Sequence, residues 1–343
     1  MAETSVHYRA CNLCEAICGI AITVEDGRIV SIRGDADDPL SHGHICPKAV
    51  ALQDLEDDPD RLRQPLRRTV GGGFQPVGWD EALDEIAART RRIQAAHGRD
   101  AVGVYLGNPN AHNLGAMLYL RPFLQALGTH NRFSATSVDQ LPHHLAALLM
   151  YGHQFLLPVP DVDRTDFLLV LGGNPLASNG SMMTAPGMSA RLAALRQRGG
   201  TLVVVDPRHT ETARVADRHL SIAPGSDALL LVSLLQVLFA EGLARPGRLA
   251  EFTDGLDTLR RVAGPFAPER VAASTGIAAD EIRRLARELA AARSAAVYGR
   301  LGVSVQEFGG LCQWLINALA VVTGNLDRAG GLMFARPAVD VLG

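Results

Sequence analysis

Four of the five cysteines in this chain lie within its first 46 residues: Cys11, Cys14, Cys18 and Cys46. The first three stand in "CNLCEAIC" with the spacing C-x2-C-x3-C, and the fourth follows after 27 intervening residues in "HICPK". Nothing else in the sequence limits the fold as strongly, because four thiols serving one centre force the intervening chain to leave Cys18 and return to it. An odd number of cysteines in a chain read as intracellular does not suggest disulfide staples. Metal thiolates do fit. Softness alone admits zinc or an iron–sulfur cluster. Structural zinc commonly uses paired C-x2-C knuckles. A compact triplet plus a distant cysteine followed by proline favours a [4Fe–4S] cluster. Cys312, inside an apolar helical stretch, reads as a core residue.

Between the third and fourth cysteines, "GIAITVEDGRIVSIRGD" alternates β-branched residues around Asp26-Gly27 and predicts a hairpin. The segment "DPLSHGHICPK" reads as loop, and "EDDPDRLRQPLRR" as a charged linker. A helix is expected in "VGWDEALDEIAARTRRIQAAHG", with Trp79, Leu83, Ile86 and Ile93 on one face and Asp80 and Glu81 in its first turn. A buried strand "AVGVYLG" and a helix ended by Gly128 follow. From about residue 140 to 300 strands and helices alternate. "DFLLVLG", "TLVVVD" and "SAAVYG" are apolar strands, with helices at 143–151, "MSARLAALRQRG", "DALLLVSLLQVLFAEG" and "ADEIRRLARELAAA". That rhythm predicts a doubly wound parallel sheet covered on both faces. Ligands of such sheets bind at the carboxyl ends of the strands.

The net charge of −3 and pI near 6.4 give no electrostatic argument for nucleic acid. No apolar run reaches the ~18 residues of a membrane span. The start "MAETSVHYRAC" has no basic, apolar or twin-arginine export signal, so a cytoplasmic location is expected.

The run "YRACNLCEAICGIAITVEDGRIVSIRGDADDPLSHGHICPKA" resembles the N-terminal iron–sulfur module of the molybdopterin-dependent oxidoreductases, the family of dimethyl sulfoxide reductase, formate dehydrogenase and the bacterial nitrate reductases. "DPDRLRQPLRR", "GWDEAL", "LGGNP", "DPRHTETARVAD" and "PGSDALL" follow in the family's order. The resemblance demotes zinc. It implies a small β-rich [4Fe–4S] module at 1–62, a split α/β lobe made of 63–140 and 300–343, and a Rossmann-like dinucleotide-binding lobe at 141–299. It also implies two molybdopterin guanine dinucleotides holding molybdenum or tungsten, a small-molecule substrate and an electron-transfer partner. Family members continue into a further β-rich domain. The ending "RPAVDVLG" and the missing domain suggest the N-terminal part of a longer enzyme, or a degenerate relative.

Residue by residue, the resemblance assigns Cys11, Cys14, Cys18 and Cys46 to the cluster and Lys48 to a bridge between cluster and pterin. Gly172, Gly173, Asn174 and Pro175 after one strand would admit a pyrophosphate. Asp206 after the next would take guanine or ribose donors. Pro207, Arg208, Thr210 and Thr212 continue that loop. Gly225, Ser226 and Asp227 open a helix, with Asp227 as guanine contact or helix cap. Gly299 and Arg300 are weaker candidates. The metal's own ligand is expected in "RFSATSVDQLPHHLAALLMYG", which holds no cysteine. Asp139 is the expected donor and Ser137 the runner-up, with helix capping as the structural alternative for Asp139. His143 and His144 read as packing or solvent residues ahead of proton shuttling. Two other classes stay open: an electron-transfer or scaffold subunit of the respiratory complex I type, without molybdenum, and a non-redox hydratase that keeps the metal.

Overall fold

Asp26 and Gly27 reverse the chain with φ of 48° and 78°, both left-handed, as a two-residue turn between twisted strands requires. They join β2 (Gly19–Glu25) to β3 (Arg28–Gly34) in the expected antiparallel hairpin, with Ile22 opposite Ile32. A strand the sequence did not announce, β1 (Thr4–Ala10), pairs antiparallel with β2 and completes a three-stranded sheet. Its residues are almost all exposed, so it carries no buried alternation to reveal it.

The structure is a computed structural model describing residues 3–336. It divides into two compact units, Met1–Ala135 and Thr136–Gly343. The first unit continues with α1 (Pro47–Val50), α2 (Trp79–His97), a two-stranded parallel sheet of β4 (Val104–Leu106) and β5 (Arg132–Ser134), and α3 (Leu114–Leu127). Asn113 caps α3 by accepting from the Ala116 N–H at 2.9 Å, and Gly128, at φ 66°, ends it. The strand "AVGVYLG" was expected to be buried, but Tyr105 within it is 73% exposed because only β5 pairs with it.

The second unit is built on four parallel strands in the order β8-β7-β6-β9: β6 (Phe167–Leu171), β7 (Thr201–Val205), β8 (Arg218–Leu220) and β9 (Ala295–Gly299). Successive side chains go to opposite faces, as the pleat demands. Phe167, Leu169, Leu171, Val203 and Val205 join one core with α6 (Asp227–Ala240), α7 (Ala279–Ala291) and α8 (Gly309–Val322). Leu168, Val170, Leu202 and Val204 join the other with α5 (Met188–Gln197). Each fully buried Leu or Val contributes ~1.5–3 kcal/mol, so β6 and β7 contribute strongly to the stability of this unit. α4 (Leu141–Tyr151) packs along α8.

The sequence grouped 300–343 with 63–140. Within the described residues the segment lies instead in the second unit: α8 packs on β9, α4 and α6, and eleven of its residues are buried there. A helix apolar on nearly every side needs such a three-sided environment. The last part of the expected split lobe, 337–343, falls outside the described residues. No helix among the described residues is long and apolar enough to cross a membrane.

Candidate cluster centre and cofactor edge

The return of Cys46 to the cysteine triplet is built from backbone contacts. Cys11 N–H donates to Cys18 C=O at 2.8 Å and closes the triplet loop. Asp35 N–H donates to Gly19 C=O at 2.9 Å, and Gly43 N–H to Asp35 C=O at 2.8 Å, so the loop after β3 folds back over the sheet. Gly34 permits this: a Cβ there would sit 1.9 Å from the Gly43 carbonyl oxygen. Ser41, buried, accepts from Gly19 N–H at 3.0 Å, and the Asp38 carboxylate accepts from both the N–H and the hydroxyl of Ser41 at 2.6 Å. Sequence reasoning passed over Asp38 and Ser41. Their D-x-x-S spacing, typical of side chains that tie local turns, was the available signal. Cys46 then leads into α1 (Pro47–Val50), with Pro47 at its first position.

Cys11 and Cys18 are buried beside Ala16, Ile20, Ile32 and Ala49, with Cys14 and Cys46 packed against the same small core. Burial, then the neighbouring thiols, push the Cys18 thiol up to about 11. Burial raises Cys11 too, against the opposing pull of a Leu13 backbone hydrogen bond and of the Lys48 ammonium. All four thiols belong to this one core, and Lys48 follows in α1, two residues after Cys46. Among the described residues no three His, Cys, Asp or Glu side chains converge as the ligands of a single ion would. A cluster binds each thiolate at a separate iron, so its ligands surround a volume instead of a point.

In the second unit the carboxyl ends of the strands carry the predicted loops. β6 has β7 on one side and β9 on the other, so the chain order reverses between β6 and β9. Gly172 and Gly173 follow β6 at this switch point. Gly172, at φ 54°, lies against Gly302: a Cβ on it would sit 2.7 Å from Val303 N and 2.8 Å from Gly302 C. Asn174 Nδ2 donates to Glu211 at 2.6 Å, and Asn174 Oδ1 accepts from Thr212 Oγ1 at 2.8 Å. Thr212 Oγ1 in turn accepts from Leu176 N–H at 3.2 Å. Pro175 is buried at the start of the turn Pro175–Ser178. Asn174 and Thr212 therefore tie the two strand-end loops together. Thr210, also buried, caps the short helix Glu211–Val215 by accepting from Ala213 N–H at 3.1 Å. Asp206, Pro207 and Arg208 stay accessible, with Asp206 Oδ1 accepting from Arg208 N–H at 2.8 Å.

Asp227 does not cap its helix. It is the first residue of α6, with Ser226 at the cap position, and its buried carboxylate accepts from Gln306 Nε2 at 2.7 Å. Burial raises its pKa, opposed by the Gln306 hydrogen bond and assisted by the charge of Asp206. Gly225, at φ 86°, has open space where a side chain would stand.

Asp139 ends the short helical turn Thr136–Asp139, which also carries the exposed Ser137. Gln140, not Asp139, occupies the cap position of α4, so Asp139 does not cap that helix. Its Oδ1 accepts from the guanidinium of Arg300, the residue after β9. Arg300 is buried, and its Nε donates to Ser181 Oγ at 2.8 Å. Ser181 was not singled out by the sequence, since it belongs to no motif. Its φ of 46° is a strained value for serine. His143 Nε2 donates to the Gly299 carbonyl at 3.0 Å, and burial pulls its pKa down to about 4. His144 faces the Gln154 carbonyl and the edge of Phe155.

The chain matches the family described as molybdopterin oxidoreductase over residues 61–336, and that family's Fe4S4 domain over residues 4–57. It belongs to the molybdopterin oxidoreductases. It is 31% identical to Formate dehydrogenase H of Escherichia coli over 93% of this chain and 44% of that protein. It is 29% identical to Nitrate reductase of Symbiobacterium thermophilum over 97% of this chain and 45% of that protein. Among solved structures it superposes on Acetylene Hydratase from Pelobacter acetylenicus with a TM-score of 0.79 and 25% identity, covering 92% of this chain and 43% of that one. The chain thus spans less than half the length of the relatives it matches.

Molybdopterin, molybdenum or tungsten and a [4Fe–4S] cluster are the cofactors that accompany these domains. The residues present suit them. Four thiols gather round one small core in the Fe4S4 region, and the molybdopterin region carries Gly172 and Gly173 at a sheet switch point.

Proposed function

We propose that this molybdopterin oxidoreductase chain oxidises or reduces a small molecule, of the formate, nitrate or S/N-oxide type, at molybdenum or tungsten, while its [4Fe–4S] cluster relays electrons to a protein partner. One observation carries the reading: Gly172–Gly173, the Asp206–Thr212 loop and the Asp139–Arg300 pair share the carboxyl edge of one parallel sheet. When bound, the molybdopterin metal would supply the two-electron chemistry. The chain's part is to hold and orient. Gly172 and Gly173 let backbone amides approach a pyrophosphate. Asp206 offers a carboxylate to the amino-type donors of a guanine, while the buried Asp227 is held by Gln306. Asp139 supplies a hard oxygen donor suited to a high-valent metal. His143 stays neutral near pH 7, with Nε2–H committed to Gly299.

The test is composition. Purified, anaerobically handled protein is expected to contain iron and acid-labile sulfide together with molybdenum or tungsten and pterin. Iron and sulfide alone would overturn the reading in favour of an electron-transfer or scaffold role. The likeness to acetylene hydratase supports a second reading, hydration without net redox. Turnover that needs no external electron acceptor decides for it.

A further inference from the structure

Arg300 joins three segments that are distant in sequence. Its backbone follows β9, its Nε donates to Ser181 in the loop after β6, and its terminal nitrogen donates to Asp139 161 residues earlier. The guanidinium is buried and held from two sides, so it cannot swing away without losing both contacts. It engages only Oδ1 of Asp139. The other oxygen, Oδ2, accepts no hydrogen bond from any described residue, and the side chain remains 28% exposed.

We propose that Arg300 is a positioning residue that makes Asp139 a one-oxygen donor: the guanidinium occupies Oδ1 and leaves Oδ2 for the metal. This rests on the reading of Asp139 as the metal's protein ligand. A carboxylate alone can chelate through both oxygens. A fixed guanidinium on Oδ1 takes one of its lone pairs and part of its charge, which makes Oδ2 the stronger donor. The same cation lies next to the metal and disfavours its more positively charged, oxidised state. Ser181 keeps the guanidinium from following the carboxylate, which accounts for a serine held at a left-handed φ.

The experiment uses the cofactor-loaded protein, with X-ray absorption at the bound metal's edge and an EPR redox titration. Arg300→Gln is expected to retain metal and pterin, to gain a second carboxylate oxygen at the metal, and to shift the metal's midpoint potential downward. Arg300→Lys, which keeps a cationic donor, is expected to restore most of the wild-type potential. A spectrum and potential unchanged in Arg300→Gln, while Asp139→Asn alters both, would overturn the proposal and leave Asp139 as ligand. An unchanged spectrum in Asp139→Asn would sink the ligand assignment itself. Where Arg300→Gln does not load its cofactors, Ser181→Ala removes only the anchoring hydroxyl. A mixture of one- and two-oxygen coordination is then expected, and the wild-type spectrum alone counts against the proposal.

Discussion

His143 is a base that the fold keeps neutral, with a pKa near 4 in place of the ordinary 6.5. Between those values the unfolded chain binds a proton that the folded chain refuses, so stability rises with pH. The contribution is complete above pH 6.5 and is lost as pH falls towards 4, at most about 3 kcal/mol. Thermal denaturation of wild type and His143→Gln across that range should converge at acid pH. Parallel curves would remove His143 from the account. Gly172 sets a second constraint. Gly172→Ala would drive a methyl into the backbone of Gly302 and Val303 from a left-handed φ, at a cost of roughly 1–3 kcal/mol. Pterin content per chain should fall with it, and full occupancy in that variant would disprove the close-approach argument. The cysteine quartet and these glycines were legible because their chemistry and spacing are local. The Asp139–Arg300–Ser181 chain was not, because it unites three segments that only the closed sheet brings together. Asp227 was read as cap or contact. Its hydrogen bond to Gln306, 79 residues away, was beyond any motif.

At the scale of elements, the loop between β3 and α1 decides whether the fourth thiol reaches the other three. Gly34→Ala would press a methyl against the Gly43 carbonyl, and Asp38→Ala would free the Ser41 turn. Both variants should keep the hairpin β2–β3 and lose visible cluster absorbance, Gly34→Ala most severely. A fully loaded Gly34→Ala protein would show that this loop does not set the position of Cys46. The hairpin, the main helices and β6, β7 and β9 were readable from periodicity and turn chemistry. β1 was missed because its side chains are exposed on both faces, and the helix Glu211–Val215 because five residues within a polar loop carry no period. The placement of α8 failed for another reason. An all-apolar helix states that it is buried, not which element buries it.

Across the whole molecule the two cores differ in kind. The sheet of the second unit is covered on both faces by large aliphatic side chains, whereas among the described residues the cluster module buries Ala16, Ile20, Ile32, Ala49, Cys11 and Cys18, with a few half-buried apolar side chains around them. A core that small depends on its metal. Removing the cluster by chelation should speed hydrogen exchange throughout residues 4–57 while β6, β7 and β9 keep their protection. Equal loss in both regions would contradict that division.

The strand order β8-β7-β6-β9 has a consequence in time. Phe167 finds its neighbour Thr201 soon after synthesis, but its other neighbour, Ala295, arrives much later. The pairing of β6 with β9 cannot be complete until Gly299 has left the ribosome, about 250 residues after Cys46. At ~5–20 residues per second that interval is on the order of tens of seconds. All four thiols are therefore synthesised well before the sheet edge that carries Gly172 and Arg300 is complete.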